Sequence, residues 1–249
     1  MYPNDGQKKQ VMTTALIFAG GTGQRMNTKA KPKQFLELHG KPVIIYTIEH
    51  FEVHHEIDNI VVICLENWIP ELKYMLMQYA FKKVSQIVPG GEGGDMSIFN
   101  GLQALAGESA SDDIVLIHDG VRPLINKELI SANIAKVKEH GVAITVEAAA
   151  ESVVRVGNGG QITEVPPRAE MYIAKAPQSF RYGLIWDLYQ RAQRNCVRTI
   201  DSAHLCSIYG VEMHTVRSTP NNIKITAPSD YYIFRALFEA VENEQILGI

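Results

Sequence analysis

Short continuous apolar runs alternate along the chain with stretches in which apolar residues recur every three to four positions. The runs are Ala15–Phe18, Asn59–Cys64, Val84–Val88, Ile114–Ile117, Val142–Val146, Tyr172–Ala174 and Met213–Val216. Short apolar runs of this kind, bounded by turn residues, predict buried strands. Between them, Ile44, Ile48 and Phe51 predict a helix with Pro42 in its first turn. Asn67 is expected to cap a second helix that holds Pro70 and Glu71 in its first turn. Further helices are expected through Ile98, Leu102 and Leu105, after an Asn126 cap with Leu129, Ile130, Ile134 and Val137 inward, and through Leu184, Leu188 and Ala192. Pro228-Ser229-Asp230 opens a last helix with Tyr232, Phe234, Leu237, Phe238 and Val241. The alternation predicts the α/β class with a mainly parallel sheet. Residues of about 150–170 break the rhythm. Ser152–Val156, a glycine turn and Ile162–Val165 read as a projecting β-hairpin, either a dimer contact or a lid over the surface.

Polar clusters at 19–34, 90–97 and 118–123 follow strands directly. In open parallel sheets ligands sit beyond the carboxyl ends of strands, so the topology alone predicts that these clusters converge. The first reads Ala19-Gly20-Gly21-Thr22-Gly23, then Arg25, Lys29, Lys31 and Lys33. Backbone amides of glycine approach an anion closely, and the cations beside them suit a triphosphate. A P-loop would need Gly-Lys-Ser/Thr, but Gln24-Arg25 follows Gly23. A dinucleotide loop would need a small residue where Met26 stands. Gly-Gly-x-Gly-x-Arg-Met followed by Pro32-Lys33-Gln34 fits the nucleotidyltransferase signature. A tight turn with a solvated basic loop is the better explanation of a lone Gly-x-Gly, and the presence of Arg25, Pro32, Lys33 and Gln34 together reverses that preference in favour of the signature.

Composition narrows the picture. The 249 residues carry a net charge of −3, with no basic excess for general binding to nucleic acid or to a membrane surface. No apolar run approaches the length of a membrane span, and the N-terminus lacks a signal-peptide pattern. Cys64, Cys196 and Cys206 show no paired spacing, which suits a reduced, cytoplasmic protein. Residues 1–11 are polar and precede a second methionine, Met12; they read as a leader outside the core or as the mark of an alternative start, leaving 12–249 as a single domain.

With these motifs in place, the sequence resembles the cytidylyltransferases that join CTP to a polyol phosphate. The resemblance spans residue 13 to about 241 and rests on AGGTGQRM with PKQF, GGEGGDMSIFNGL, IHDGVRP, the AAAES segment, APQSF and NNIKIT. Two branches are close. One uses ribitol 5-phosphate for teichoic acid, capsule and related glycopolymers, and the other uses 2-C-methyl-D-erythritol 4-phosphate for isoprenoids. The resemblance implies a Rossmann-like nucleotidyltransferase domain, Mg²⁺, and a homodimer formed through the β-arm. It further implies that Arg25 and Lys33 contact the triphosphate and that Lys224 reaches the reacting phosphates. Amides from Ala19, Gly20, Gly21, Thr22 and Gly23 would cradle the phosphates. Gly90, Gly91 and Ser97 would read cytosine. Asp119 would place the metal and nucleotide, supported by Arg122, and Ser152 and Arg168 would bind the acceptor phosphate from the neighbouring subunit.

Plainer readings stand beside these. Asp119 can cap the turn after its strand with Arg122 as its partner, and Lys224 and Arg168 can be solvated surface residues. His118 reads as structural, without companions at zinc-ligand spacing, and Cys206 as a buried inert thiol. The Tyr231-Tyr232-Phe234 group reads as core. The chain departs from the family at Gly94, where an arginine is common, at Ala176, where a threonine is common, and at Thr199-Ile200-Asp201-Ser202-Ala203. These bear on acceptor identity or rate. The extension Glu242–Ile249 points to the glycopolymer branch, and Gly94 alone favours a non-catalytic nucleotide-binding protein.

Overall fold

The computed structural model describes residues 10–21 and 31–247. In chain order the elements are β1 (Thr13–Ala19), β2 (Glu37–Leu38), β3 (Lys41–Pro42), α1 (Val43–Glu52), β4 (Asn59–Cys64), α2 (Ile69–Gln78), β5 (Val84–Pro89) and α3 (Gly94–Ala104). They continue with β6 (Ile114–Asp119), α4 (Lys127–His140), β7 (Val142–Ala148), β8 (Arg155–Val156), β9 (Ile162–Glu164), β10 (Tyr172–Arg181), α5 (Tyr182–Arg194), α6 (Ser202–Ile208), β11 (His214–Arg217) and α7 (Pro228–Leu247).

A seven-stranded sheet in the order β11-β7-β10-β6-β1-β4-β5 organises these elements. β1 runs parallel to β4 and β6, β4 to β5, and β7 to β11, while β10 is antiparallel to both β6 and β7. The chain builds outward from β1 through β4 to β5, then returns to the other side of β1 as β6. Loops leaving β1 and β6 therefore diverge, and a crevice opens at their carboxyl ends.

The strands are buried on both faces, which is why they read as unbroken apolar runs. Along β1, Ala15, Ile17 and Ala19 join a core with α1, α2 and α4, whereas Leu16 joins a second core with α3, α5 and α6. The same period of two divides Ile60 and Val62 from Val61 and Ile63, and Ile114 and Leu116 from Val115 and Ile117. Each such side chain contributes about 1.5–3 kcal/mol of burial, so a one-residue slip would be heavily penalised. A smaller apolar cluster around Phe234 and Ile225 docks α7 beside the loop after β6.

Several expectations change. Asn67 lies within a 3-10 turn, Glu66–Trp68, and Trp68 precedes α2 without a side-chain cap. Pro42 lies just outside α1, in extended conformation. The short strand expected at Tyr172–Ala174 continues to Arg181 as β10, its ladder interrupted between Ala174 and Gln178. A buried polar network holds this interruption. Thr145 Oγ1 donates to the Pro177 carbonyl at 2.6 Å, and Asn133 Nδ2 donates to Thr145 Oγ1 at 3.0 Å. Ser179 Oγ donates to Asn133 Oδ1 at 3.1 Å. α6 was not expected. Tyr232 and Val241 face solvent rather than the core. The hairpin is present as β8 and β9, shorter than the sequence suggested, with Arg155 opposite Glu164 and Val156 opposite Ile162.

Candidate active site

The glycine loop after β1 begins in a tight space. A Cβ on Gly20 would stand 3.3 Å from Ser97 Oγ and 3.5 Å from Gly90 Cα, so two glycine segments meet here with nothing between them. Gln34, buried in the 3-10 turn Lys33–Phe35, secures the first segment. Its Nε2 donates to the carbonyls of Ala19 at 2.7 Å and Gly21 at 3.3 Å. Ser97, on the first turns of α3, secures the second: it accepts from Gly91 N at 2.9 Å and donates to the Gly93 carbonyl at 2.7 Å. Ala19, Gly20, Gly21, Gly90, Gly91 and Ser97 thus lie together, with Lys33 in the turn that carries Gln34. Thr22, Gly23 and Arg25 lie outside the described residues.

The second half of the site grows from the end of β6. His118 and Asp119 are its last residues, where the sequence suggested that the strand had already ended. Asp119 Oδ2 accepts from Arg122 Nε at 2.8 Å, and Asp119 Oδ1 pairs with Lys224 Nζ at 2.7 Å. Burial by itself would raise the Asp119 carboxyl; Lys224 and Arg122 outweigh it and hold the group well below the usual carboxylate range. One carboxylate shared by two cations leaves an excess positive charge, suited to an incoming phosphate chain. Arg122 Nη1 also donates to the Asn222 carbonyl at 2.9 Å, and Asn222 Nδ2 donates to the Ala176 carbonyl at 2.7 Å. This ties the NNIKIT segment to β10 and brings Lys224 over Asp119. Burial lowers the His118 imidazole to about 3, with its Nε2 against the Arg122 carbonyl at 3.3 Å, so it is a neutral, structural group.

The second half lines a cleft of about 190 Å³ that includes Asp119, Arg122, Lys224, Lys175, Asp201 and Gly94, whereas Ala19, Gly20, Gly90, Gly91 and Ser97 are not part of its lining. A Cβ on Gly94 would meet no atom within 4 Å, so the missing side chain leaves open space. Asp201 serves two roles. It caps α6 by accepting from His204 N at 2.8 Å, and it accepts from Gln178 Nε2 at 3.1 Å. Nearby, outside the cleft lining, Arg198 grips Asp95 at the start of α3 through Nε at 2.5 Å and Nη2 at 3.0 Å. Ser152 and Arg168 are exposed on the arm and line no part of this cleft; Arg168 Nη1 reaches the Ala150 carbonyl at 3.5 Å. Sequence reasoning left Gln34 and Asn222 without roles and passed over Lys175. The available signals were Gln34 within Pro-Lys-Gln and a lysine interrupting the apolar run that leads into Ala176-Pro177.

Residues 13–240 match the family model described as 2-C-methyl-D-erythritol 4-phosphate cytidylyltransferase. The chain belongs to this cytidylyltransferase family. Within it, 239 residues are 48% identical to a protein of Streptococcus agalactiae serotype Ia named ribitol-5-phosphate cytidylyltransferase, covering 96% of this chain and 100% of that one. A Clostridium botulinum protein named 2-C-methyl-D-erythritol 4-phosphate cytidylyltransferase is 32% identical over 91% of this chain and 97% of its own. The crystal structure of 4-diphosphocytidyl-2C-methyl-D-erythritol synthase from Anaerococcus prevotii superposes with a TM-score of 0.80 at 25% identity, covering 92% of this chain and 99% of that one. The Rossmann-like cytidylyltransferase fold expected from the motifs is therefore the one observed. Among the described residues no helix is long and apolar enough to cross a membrane.

Proposed function

We propose that this cytidylyltransferase joins CTP to ribitol 5-phosphate, releasing pyrophosphate and CDP-ribitol. The identity gap carries the choice of acceptor: 48% to a ribitol-5-phosphate enzyme against 32% to a methylerythritol-phosphate enzyme, each over nearly the whole chain. The methylerythritol phosphate reading rests on the description of the matching family model. The Asp119–Arg122–Lys224 cluster at the strand ends argues against a non-catalytic nucleotide binder.

In the reaction an oxygen of the acceptor phosphate attacks the α-phosphorus of CTP. The new P–O bond forms in line with the bond that breaks between the α-phosphorus and the bridging oxygen, and the electron pair leaves with pyrophosphate. Such transfers need positioning and charge neutralisation more than covalent work by side chains. Amides of residues 19–23 hold the triphosphate, with Arg25 and Lys33 neutralising it. Lys224 faces the α-phosphate from its place over Asp119. Ser97 holds the Gly90-Gly91 segment in shape, and that segment reads the base.

A divalent ion fits this donor set. Mg²⁺ sites of this kind use one or two carboxylates together with substrate phosphates. Asp119 is ionised, lines the cleft, and keeps lone pairs beyond those facing Lys224 and Arg122. Among the described residues there is no cluster of three acidic, His or Cys side chains that would cage a metal alone. Asp119 would hold Mg²⁺ against the triphosphate, where the ion would spread the charge of the departing pyrophosphate.

Residues 12–249 are proposed to act as one catalytic domain within a cytoplasmic homodimer. Exposed Val153, Val154, Val156, Ile162 and Val165 on the arm offer an apolar surface for a second copy. Ser152 and Arg168 would then serve the partner's acceptor phosphate. Reduced Cys64 and Cys206, both buried with thiols pushed up to about 12, suit that compartment. Pyrophosphate release with CTP and Mg²⁺ tests the assignment across ribitol 5-phosphate, ribulose 5-phosphate, methylerythritol 4-phosphate and glycerol 3-phosphate. Strong release with ribitol 5-phosphate is expected; release confined to methylerythritol 4-phosphate would overturn the choice of acceptor.

A further inference from the structure

Lys175 lies in the cleft, and the reaction described above does not use it. It stands in the interrupted stretch of β10, between Ala174 and Ala176, which line the same cleft. Neither neighbour has the bulk to screen it. Its side chain is 11% exposed, too buried for an unpaired ammonium. Glu147 on the adjacent β7 pairs with it, and its Nζ donates to the Asn222 carbonyl at 3.2 Å. An ammonium has three N–H donors, so these two partners leave one for the cleft. The same carbonyl takes Arg122 Nη1 at 2.9 Å, which places Lys175 beside the group that meets the reacting phosphates.

Charge distinguishes Lys175 from Lys224. Glu147 already neutralises it, so it adds little attraction for phosphate, whereas a held N–H donor suits an uncharged hydroxyl. We infer that Lys175 is a specificity-determining residue that donates to a hydroxyl of the acceptor's polyol chain, with Glu147 as the residue that positions it. This rests on the proposed reaction with ribitol 5-phosphate.

The experiment compares the unaltered protein and Lys175→Met on ribitol 5-phosphate and on analogues that each lack one hydroxyl, with CTP binding measured separately by calorimetry. Lys175→Met is expected to raise KM for ribitol 5-phosphate about 10- to 100-fold, the value of a charge-assisted hydrogen bond. The kcat and the Kd for CTP should stay unchanged. The variant should also lose discrimination against one particular deoxy analogue that the unaltered protein rejects. An unchanged acceptor KM, an equal weakening of CTP binding, or undiminished discrimination would overturn the inference. Should Lys175→Met fail to fold, Glu147→Gln keeps the size of the partner; a smaller rise in acceptor KM with the same loss of discrimination is expected, and its absence would overturn the inference equally. Failure of the unaltered protein to use ribitol 5-phosphate would instead overturn the underlying reaction, before any variant is compared.

Discussion

At the scale of single residues, Asp119 shows why neighbours matter more than identity. Its carboxyl is half-buried at the cleft wall, and Lys224 and Arg122 keep it ionised. Removing Lys224 takes away the stronger of those two supports and the cation proposed to face the α-phosphate. Lys224→Ala is expected to lower kcat about 100- to 1,000-fold with the fold intact, as loss of one preorganised charge-stabilising donor does. Steady-state kinetics beside a circular dichroism melt checks this, and Lys33→Ala should behave alike. His118 makes a different prediction. An unfolded histidine takes up a proton below about 6.5, whereas burial lowers His118 to about 3. Between these values the unfolded state binds more protons, so stability falls as pH drops through that window, by about 1.4 kcal/mol per pH unit. Burial also lowers His50 and His54, in the same sense. Urea unfolding at several pH values should show the slope, and His118→Gln should reduce it, leaving the share of His50 and His54. The identities of Lys224, Asp119 and Arg122 were legible as candidates. The pairing of Asp119 with Arg122, three residues apart, was legible as well; the contact with Lys224 was not, because more than a hundred residues of chain lie between the two ends of that pair.

Among elements, those written in local chemistry were legible. Asn126 caps α4 by accepting from Leu129 N at 3.0 Å, and Gly141 ends the helix at φ +82°. Asn126→Ala should cost about 1 kcal/mol, measurable by chemical denaturation. The Gly90-Gly91 segment is under tighter constraint. A Cβ on Gly91 would stand 2.5 Å from Met96 Cβ and 3.0 Å from the Met96 carbonyl carbon, so the segment has to move. Gly91→Ala is expected to lower kcat/KM for CTP about 10- to 100-fold, as misplacement of a positioning element does, without unfolding the protein. α6 escaped the sequence reading because it is short and buries little beyond Ser202, Leu205 and Cys206. β10 was read too short because Pro177 and the interrupted ladder hide its continuity.

For the whole molecule the decisive question is whether two copies share one site. Ser152 and Arg168 line no part of their own cleft, and the arm carries exposed apolar residues. Val156→Asp with Ile162→Asp should yield monomers in sedimentation and abolish turnover of the acceptor. Mixing inactive Arg168→Ala with inactive Lys224→Ala should restore activity, since one site of each mixed dimer then has its arm and its lysine intact. No recovery after verified exchange of subunits would place Arg168 outside the partner's site.

Local patterns along the chain were enough to predict the class of the fold, the buried strands and the loops proposed to hold phosphate. Those features are local: apolar runs, helical spacing, caps and glycine motifs act within a few residues of one another. Tertiary structure alone decided which polar groups meet. The parallel strands β1, β4 and β5 end at one edge of the sheet, and this brings Gly20 against Gly90. The antiparallel β10, held by Asn133 and Thr145, sets Lys175 into the cleft beside Asn222. A pairing between residues far apart in the chain depends on the packing of every element between them, and no local pattern records it.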